Sequence, residues 1–239
     1  MKRRALAQLG LIGLTLKDRA QDPQAGLGFA FLMSSPTVPV TTGHVDGVIT
    51  IDVAEADDAH RERVRVQMGE RYRTIIGHIR HELGHFFWPR LVASDSTRLD
   101  RFRKLFGDER DDYDAAKDRW YRGERPSMHE QLVSTYAHMH PHEDWAESFA
   151  HFLLIDDALA TAALLGIEPP SDVGALGLAG ASDVTRRIDD WDRISVALNE
   201  VSRATGQRDL YPFVITEPVR DRLVFVHECI TSAVAAPTL

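Results

Sequence analysis

Two rhythms of hydrophobic and polar positions run along this chain. Between Gly26 and Val53, short apolar runs (Leu27–Met33 and Val48–Val53) alternate with Pro36, Pro39, Gly43 and Gly47. Runs of that length, rich in Val, Ile, Phe and Thr and bounded by turn residues, predict strands. A small sheet is therefore expected ahead of the helices. From Ala54 the period becomes helical. Ala54–Met68 is charged and helix-compatible, and Gly69 breaks it. A stronger helical pattern runs from Glu70 to about Trp88, where Pro89 should end or kink it. Gln131–Asp157, Asp183–Thr205 and Glu217–Ala235 also predict helices, the last with Thr216 as N-cap and Pro218 in its first turn. Glu168–Ser182, with Pro169, Pro170, Gly174, Gly177 and Gly180, reads as a loop with a marginal helical segment. No internal repeat is visible.

The 239 residues suffice for one sizeable core. We therefore expect a single α+β domain spanning 1–239, predominantly helical: a small sheet region over 1–53, active-site helices over 54–165 and C-terminal helices over 183–239. The formal charge of -8 argues against nucleic acid as a partner, since phosphate binding needs clustered Lys and Arg. Cys229 is the one cysteine, so neither a disulfide framework nor a cysteine-built zinc ribbon can form within this sequence. Any metal must be held by His and carboxylates. The stretch Met1–Leu16 pairs a basic start (Lys2, Arg3, Arg4) with apolar residues, as a secretory leader does. Gln8 and Thr15 interrupt it, however, and no small-x-small site follows. No run approaches the ~20 apolar residues of a membrane span. The expectation is a cytoplasmic protein with no membrane partner.

The chemistry concentrates in Ile79-Arg80-His81-Glu82-Leu83-Gly84-His85, a His-Glu-x-x-His pattern inside the helix expected over 70–88. Positions four apart on a helix are offset by only ~40°, so His81 and His85 can face one ion. Neutral imidazole is a good zinc ligand, and a catalytic zinc keeps three protein ligands and an open position for water. Glu82, beside the first ligand, can act as the general base for that water. Ile75, Ile76, Ile79, Leu83, Phe86 and Phe87 would bury the helix, and Gly84 would leave space beside the metal.

A third ligand must come from elsewhere. The positions that a metzincin fills with Gly and His are Trp88 and Leu91 here, which excludes that class. Further on, Pro141-His142-Glu143-Asp144-Trp145-Ala146-Glu147 offers two acids one turn apart among large apolar residues, where unpaired carboxylates are costly. Glu143 is favoured as the ligand because Glu147 would then be free to bond the far nitrogen of a ligand histidine. The reverse assignment, with Glu147 on the metal, stays open. Eight of the 11 histidines fall between positions 78 and 151, which supports a site without assigning ligands. His78 is read as a packing or supporting residue. Tyr136, seven residues before Glu143, is a candidate oxyanion donor on the same helix face, in competition with His138 and His140. The acidic run Asp108–Asp114 reads as a solvated helix start and is left outside the site.

Gly43-His44-Val45-Asp46-Gly47, Ala54-Glu55-Ala56-Asp57-Asp58, the His-Glu-x-x-His segment, Leu105–Arg110 and the His140–His151 stretch together resemble bacterial zinc-binding metallopeptidases of the zinc-ribbon-plus-zincin type. The resemblance runs from about Leu11 to Ser232. It implies a zincin-like fold, zinc as cofactor, His81 and His85 as ligands, Glu82 as base, a downstream Glu ligand and a peptide or protein substrate. The spacing of Tyr136, Glu143 and Glu147 is also similar to that in zincins of the anthrax lethal factor type, where a Tyr precedes the Glu ligand by the same interval. Members of the resembled family commonly carry an N-terminal cysteine-rich ribbon, which this sequence lacks. In many zincins an edge strand aligns the substrate by main-chain pairing, and Val48–Val53 is the expected counterpart. The competing expectation is a non-catalytic binding module stabilised by zinc, whose ion would be closed off by a fourth ligand such as His78 or His151.

Overall fold

The computed structural model describes residues 1–35, 37–124, 131–169 and 183–235. Its first element is a helix, α1 (Lys2–Leu11), in the region expected to hold only the sheet. Ala5, Gln8 and Leu9 recur on one face, and that face is buried. Gln8 donates from Nε2 to the Leu153 carbonyl (2.5 Å), and its Oε1 accepts from Arg80 Nε and Nη2 (3.2 and 3.0 Å). The leader-like stretch is thus part of the core, with the Lys2 ammonium 4.7 Å from the Phe29 ring centre.

Three strands follow: β1 (Gly28–Leu32), β2 (Gly43–Val45) and β3 (Val48–Asp52). Their spatial order is β1-β3-β2, with β1 parallel and β2 antiparallel to β3. Asp46 and Gly47 both have positive φ (47° and 76°) in the tight turn joining β2 to β3. That is the pairing a two-residue hairpin needs to match the strands' twist. A side chain at Gly47 would also sit 3.0 Å from the Gly26 carbonyl oxygen. The hairpin lays β2 along one side of β3, and the ten-residue β1–β2 connection lets β1 pair on the other. Val48–Val53 is therefore corrected from an edge strand to the central one, where Ile49 and Ile51 are buried. The edges are β1 and β2. Val53 itself starts a short 3-10 turn (Val53–Ala56) capped by Asp52.

That turn delays the next helix, expected from Ala54, so that α2 covers Asp58–Met68. Asp57 caps its start and Gly69 ends it in a left-handed conformation (φ 68°). The motif helix α3 spans Ile75–Trp88 and is shorter than expected. Residues 70–74 stay outside the helix, held by Arg73 bonding Glu55 (2.6 and 3.1 Å) and Glu70 (3.0 Å), and Thr74, itself extended, then caps the helix by accepting from the Gly77 N–H (3.0 Å). Pro89 ends the regular helix and opens one wide turn, Pro89–Ala93. The helices α4 (Ser96–Phe106) and α5 (Tyr113–Tyr121) start at the aspartate caps Asp95 and Asp112. The helix expected over 131–157 is α6, Pro141–Leu164. Its start is set by His140, which caps it, and by Pro141, whose missing N–H suits a first turn. Residues 131–140 form turns, including a 3-10 turn at Tyr136–His138. The helices α7 (Asp183–Ala204) and α8 (Glu217–Ala235) match expectation to within a residue, and the Arg220 N–H donates to the Thr216 carbonyl (2.8 Å). The loop expected over 168–182 lies almost wholly outside the described residues.

The centre of the molecule is α3 against α6. Ile79, Leu83, Trp145, Phe149 and Leu153 are fully buried. Gly84 is where the two helices touch. A Cβ there would stand 2.8 Å from Ala146 Cα, and the Gly84 carbonyl accepts from the Trp145 indole (2.9 Å). The space that Gly84 leaves is thus filled by α6. This corrects the expectation that it lies beside a metal. A second apolar cluster (Ile155, Ile188, Trp191, Tyr211, Leu223) joins α6, α7 and α8. The described residues contain no helix long and apolar enough to cross a membrane.

Candidate metal centre

With α3 and α6 in contact at Gly84 and Ala146, the next turn of each helix brings its polar residues together. His81 Nε2 and His85 Nε2 are 3.1 Å apart. Glu143 spans both, with Oε2 at 3.0 Å from His81 Nε2 and Oε1 at 3.4 Å from His85 Nε2. Among the described residues, His81, His85 and Glu143 are the group whose ligand atoms converge closely enough to hold one metal ion. One ligand atom from each residue lies within 4.8 Å of the others, and ligands held ~2.0–2.2 Å from a tetrahedral zinc lie roughly 3.3–3.5 Å from one another, so the three can close on one ion. Glu147, one turn further along α6, reaches the other side of the His81 ring, its Oε1 at 2.7 Å from Nδ1. In that pairing Nδ1–H donates, which leaves the Nε2 lone pair facing Glu143.

A lone pair against a carboxylate at 3.0 Å is repulsive unless a cation lies between them. In the metal-free protein that cation is a proton. Burial works to lower the His81 pKa, but hydrogen bonds from Glu143 and Glu147 outweigh it and hold the ring well above its ordinary range. Burial would likewise raise both glutamates. Electrostatic attraction to His85 and hydrogen bonds with both histidines instead drive Glu143 well below its ordinary value, and His81 draws Glu147 down to about 2. Glu82 differs: burial raises its pKa, with His81 and His85 opposing. A divalent ion would replace the proton and suit the donor set of two imidazole nitrogens and a carboxylate oxygen. The residues present fit zinc.

The other candidates are spread more widely. Tyr136 sits on the 3-10 turn ahead of α6, so the shared helix face expected for it is corrected. Its ring still lies 5.9 Å from that of His81 and packs on Trp120. Burial raises its pKa, so the hydroxyl keeps its proton at any physiological pH. His140 is committed elsewhere: Nδ1 accepts from the His142 N–H (3.1 Å) and Nε2–H donates to the Asp111 carbonyl (3.0 Å). His78, lowered to about 4 by burial, lies near Arg73 and Glu55, outside the triangle. His151 bonds the Tyr211 hydroxyl (2.9 Å) and is also outside it. Neither closes the site as a fourth ligand, and His129 lies outside the described residues. Sequence reasoning missed Tyr113, which donates from its hydroxyl to Glu143 Oε1 at 2.7 Å. It belongs to the acidic run that reads as a solvated helix start, and no spacing rule links it to Glu143, 30 residues away.

Comparison with known proteins agrees with this chemistry. Residues 1–229 match the family described as "Putative zinc-binding metallo-peptidase", and the chain belongs to that family. Uncharacterized proteins of Mycobacterium bovis and of two strains of Mycobacterium tuberculosis are each 50% identical to it over 227 residues. The match covers 95% of this chain and 66% of each relative, so the chain spans a little under two thirds of their length. No solved structure matches the chain.

Proposed function

We propose that this chain is a zinc-dependent peptidase with a zincin-like, gluzincin-type catalytic domain that hydrolyses peptide bonds in a peptide or protein substrate. One observation carries the reading: the triangle of His81 Nε2, His85 Nε2 and a Glu143 carboxylate oxygen, with Glu147 on the opposite nitrogen of His81. Zinc held by such a set supplies a Lewis acid that brings the pKa of water from 15.7 to about 7.

The chain's own residues do the rest. Glu147 holds the His81 tautomer that presents Nε2 to the ion. Glu82, buried and next to His81 on α3, takes the proton from the attacking water and passes it to the leaving amine. Tyr136 keeps its proton and donates it as a hydrogen bond to the substrate carbonyl oxygen as charge develops there. The edge strand β2, packed beside α3 with the His44 ring on Phe86, is the surface for an extended substrate to pair along. The absence of His78 and His151 from the triangle favours an open catalytic site over a closed structural one. The single cysteine, Cys229, is buried and unpaired, in keeping with a reducing compartment such as the cytoplasm.

The test is zinc content and peptide-library cleavage on wild type, Glu82→Gln, Glu143→Ala and Glu147→Ala. The expected outcome is about one zinc in wild type, retained in Glu82→Gln and lost chiefly in Glu143→Ala, with cleavage in wild type alone. Wild type that cannot be loaded with zinc would sink the proposal.

A further inference from the structure

The acidic run before α5 has no part in the chemistry above, yet it is fastened to the site at three points. The Asp111 carbonyl accepts from His140 Nε2–H at 3.0 Å. Asp112 caps α5 by accepting from the Ala115 N–H at 2.9 Å. The Tyr113 ring then stands edge-on to His140, centroids 5.1 Å apart, with its hydroxyl donating to Glu143 Oε1 at 2.7 Å. His140 is 3% exposed and also caps α6, three residues before Glu143. One buried imidazole therefore sets the position of both the helix that carries Glu143 and the segment that leads into Tyr113 at the start of α5.

We propose that Tyr113 is a positioning residue that reserves Oε1 of Glu143 by hydrogen bonding, so that the carboxylate offers the metal Oε2 alone. An O–H donated to one carboxylate oxygen lowers that atom's electron density and fixes the rotation of the group. Glu143 Oε1 has two calls on it, Tyr113 at 2.7 Å and His85 Nε2 at 3.4 Å, and the shorter one governs. With Oε2 as single donor, the site holds three protein ligands and keeps its remaining position for water. Without the phenol, Glu143 is free to grip the ion through both oxygens and crowd that position. Tyr113 touches neither substrate nor ion. It acts through Glu143, and the acidic run is the bracket that delivers it.

This inference rests on the zinc-peptidase reading, so its test must separate the two. Zinc affinity by competition with a chromogenic chelator, and the visible absorption of the cobalt(II)-substituted protein, are measured on wild type, Glu143→Ala, Tyr113→Phe and Tyr136→Phe. Tyr113→Phe keeps the ring packed on His140 and removes only the hydroxyl. The expected result is a 10- to 100-fold loss of zinc affinity in Tyr113→Phe, roughly the range for partners that orient a ligand. Its cobalt spectrum should weaken from the intense four-coordinate form toward the fainter five-coordinate one. Tyr136→Phe should change neither readout while slowing turnover. If wild type binds and Glu143→Ala does not, but Tyr113→Phe matches wild type in affinity and spectrum, the positioning role is overturned and the peptidase reading stands. Loss of fold in Tyr113→Phe, read by far-UV circular dichroism, also overturns it, because the hydroxyl would then be a structural group. If wild type itself binds neither ion, both fall together.

Discussion

Arg80 and His81 are neighbours on α3, and both reach across to carboxylates on α6, yet the two contacts differ in kind. Arg80 is 4% exposed and lies between the side-chain Oε1 of Gln8 and Asp157 (2.6 Å), which Arg4 also engages (2.7 Å). Every group there has a partner of opposite character, and two guanidinium groups face one carboxylate. Around His81 the balance is reversed. Glu82, Glu143 and Glu147 crowd the two imidazoles, and among the described residues the ion-pair partners of these carboxylates are histidines. One cluster is complete as folded, whereas the other has an excess of negative charge and inward-facing lone pairs. Such an excess is tolerated in a core only where a cation compensates it. The first cluster holds α1, α3 and α6 together, and the second is poised to bind.

The comparison can be broken most sharply at Arg80. Arg80→Ala leaves the buried Gln8 Oε1 without a donor and Asp157 with Arg4 alone, and should cost about 2 kcal/mol of stability, the usual effect of stranding a buried acceptor. Zinc affinity measured below the unfolding transition should not change. A variant that lost its zinc while remaining folded would show that the two clusters are coupled. A smaller effect is expected from Glu147→Gln, which keeps a hydrogen-bond acceptor on His81 Nδ1 but removes the charge. Zinc should bind 10- to 100-fold more weakly, with thermal stability of the metal-free protein reduced only slightly. Equal affinity in chelator competition would mean that Glu147 does not orient the ring.

The smallest effect is the pH dependence of the metal-free protein. The His81 pKa is raised on folding, so its contribution is complete below its ordinary 6.5 and is lost as pH rises through the raised value. Glu147 is lowered to about 2, so its contribution is complete above its ordinary 4.5 and is lost as pH falls toward 2. Metal-free melting temperature should therefore be highest between about 4.5 and 6.5 as far as this cluster contributes. Added zinc should erase the alkaline decline, because the ion takes the place of the proton, and should be released on acidification. A melting profile that is flat with pH and indifferent to zinc would contradict the proton-for-metal exchange.

The sequence made much of this legible. Spacing alone puts His81 and His85 on one helical face, since the 3.6-residue period is a local property of the backbone. The aspartates that start α2, α4 and α5 and the Asp-Gly turn between β2 and β3 are local in the same way, because a cap or a tight turn is formed within four residues. Helix limits were less readable. The residues that stop α3 and α6 from starting earlier, Arg73 with Glu55 and His140 with Asp111, act through partners 18 and 29 positions away. Which strand lies at the edge was likewise invisible, because a run of alternating residues does not state its neighbours.

By itself, then, the sequence determined the donors: two imidazoles, a neighbouring acid and two further acids one turn apart, with a single cysteine, Cys229, too few for a cysteine-built site. Tertiary structure alone decided how they meet. The contact of Gly84 with Ala146 sets Glu143 against both Nε2 atoms and Glu147 against Nδ1, an outcome that sequence spacing leaves open because it depends on the register of one helix upon another. It also brought Tyr113 out of a charged, solvent-facing run to Glu143. Local periodicity fixes which residues share a face, but the approach of two faces is a packing decision made by distant side chains.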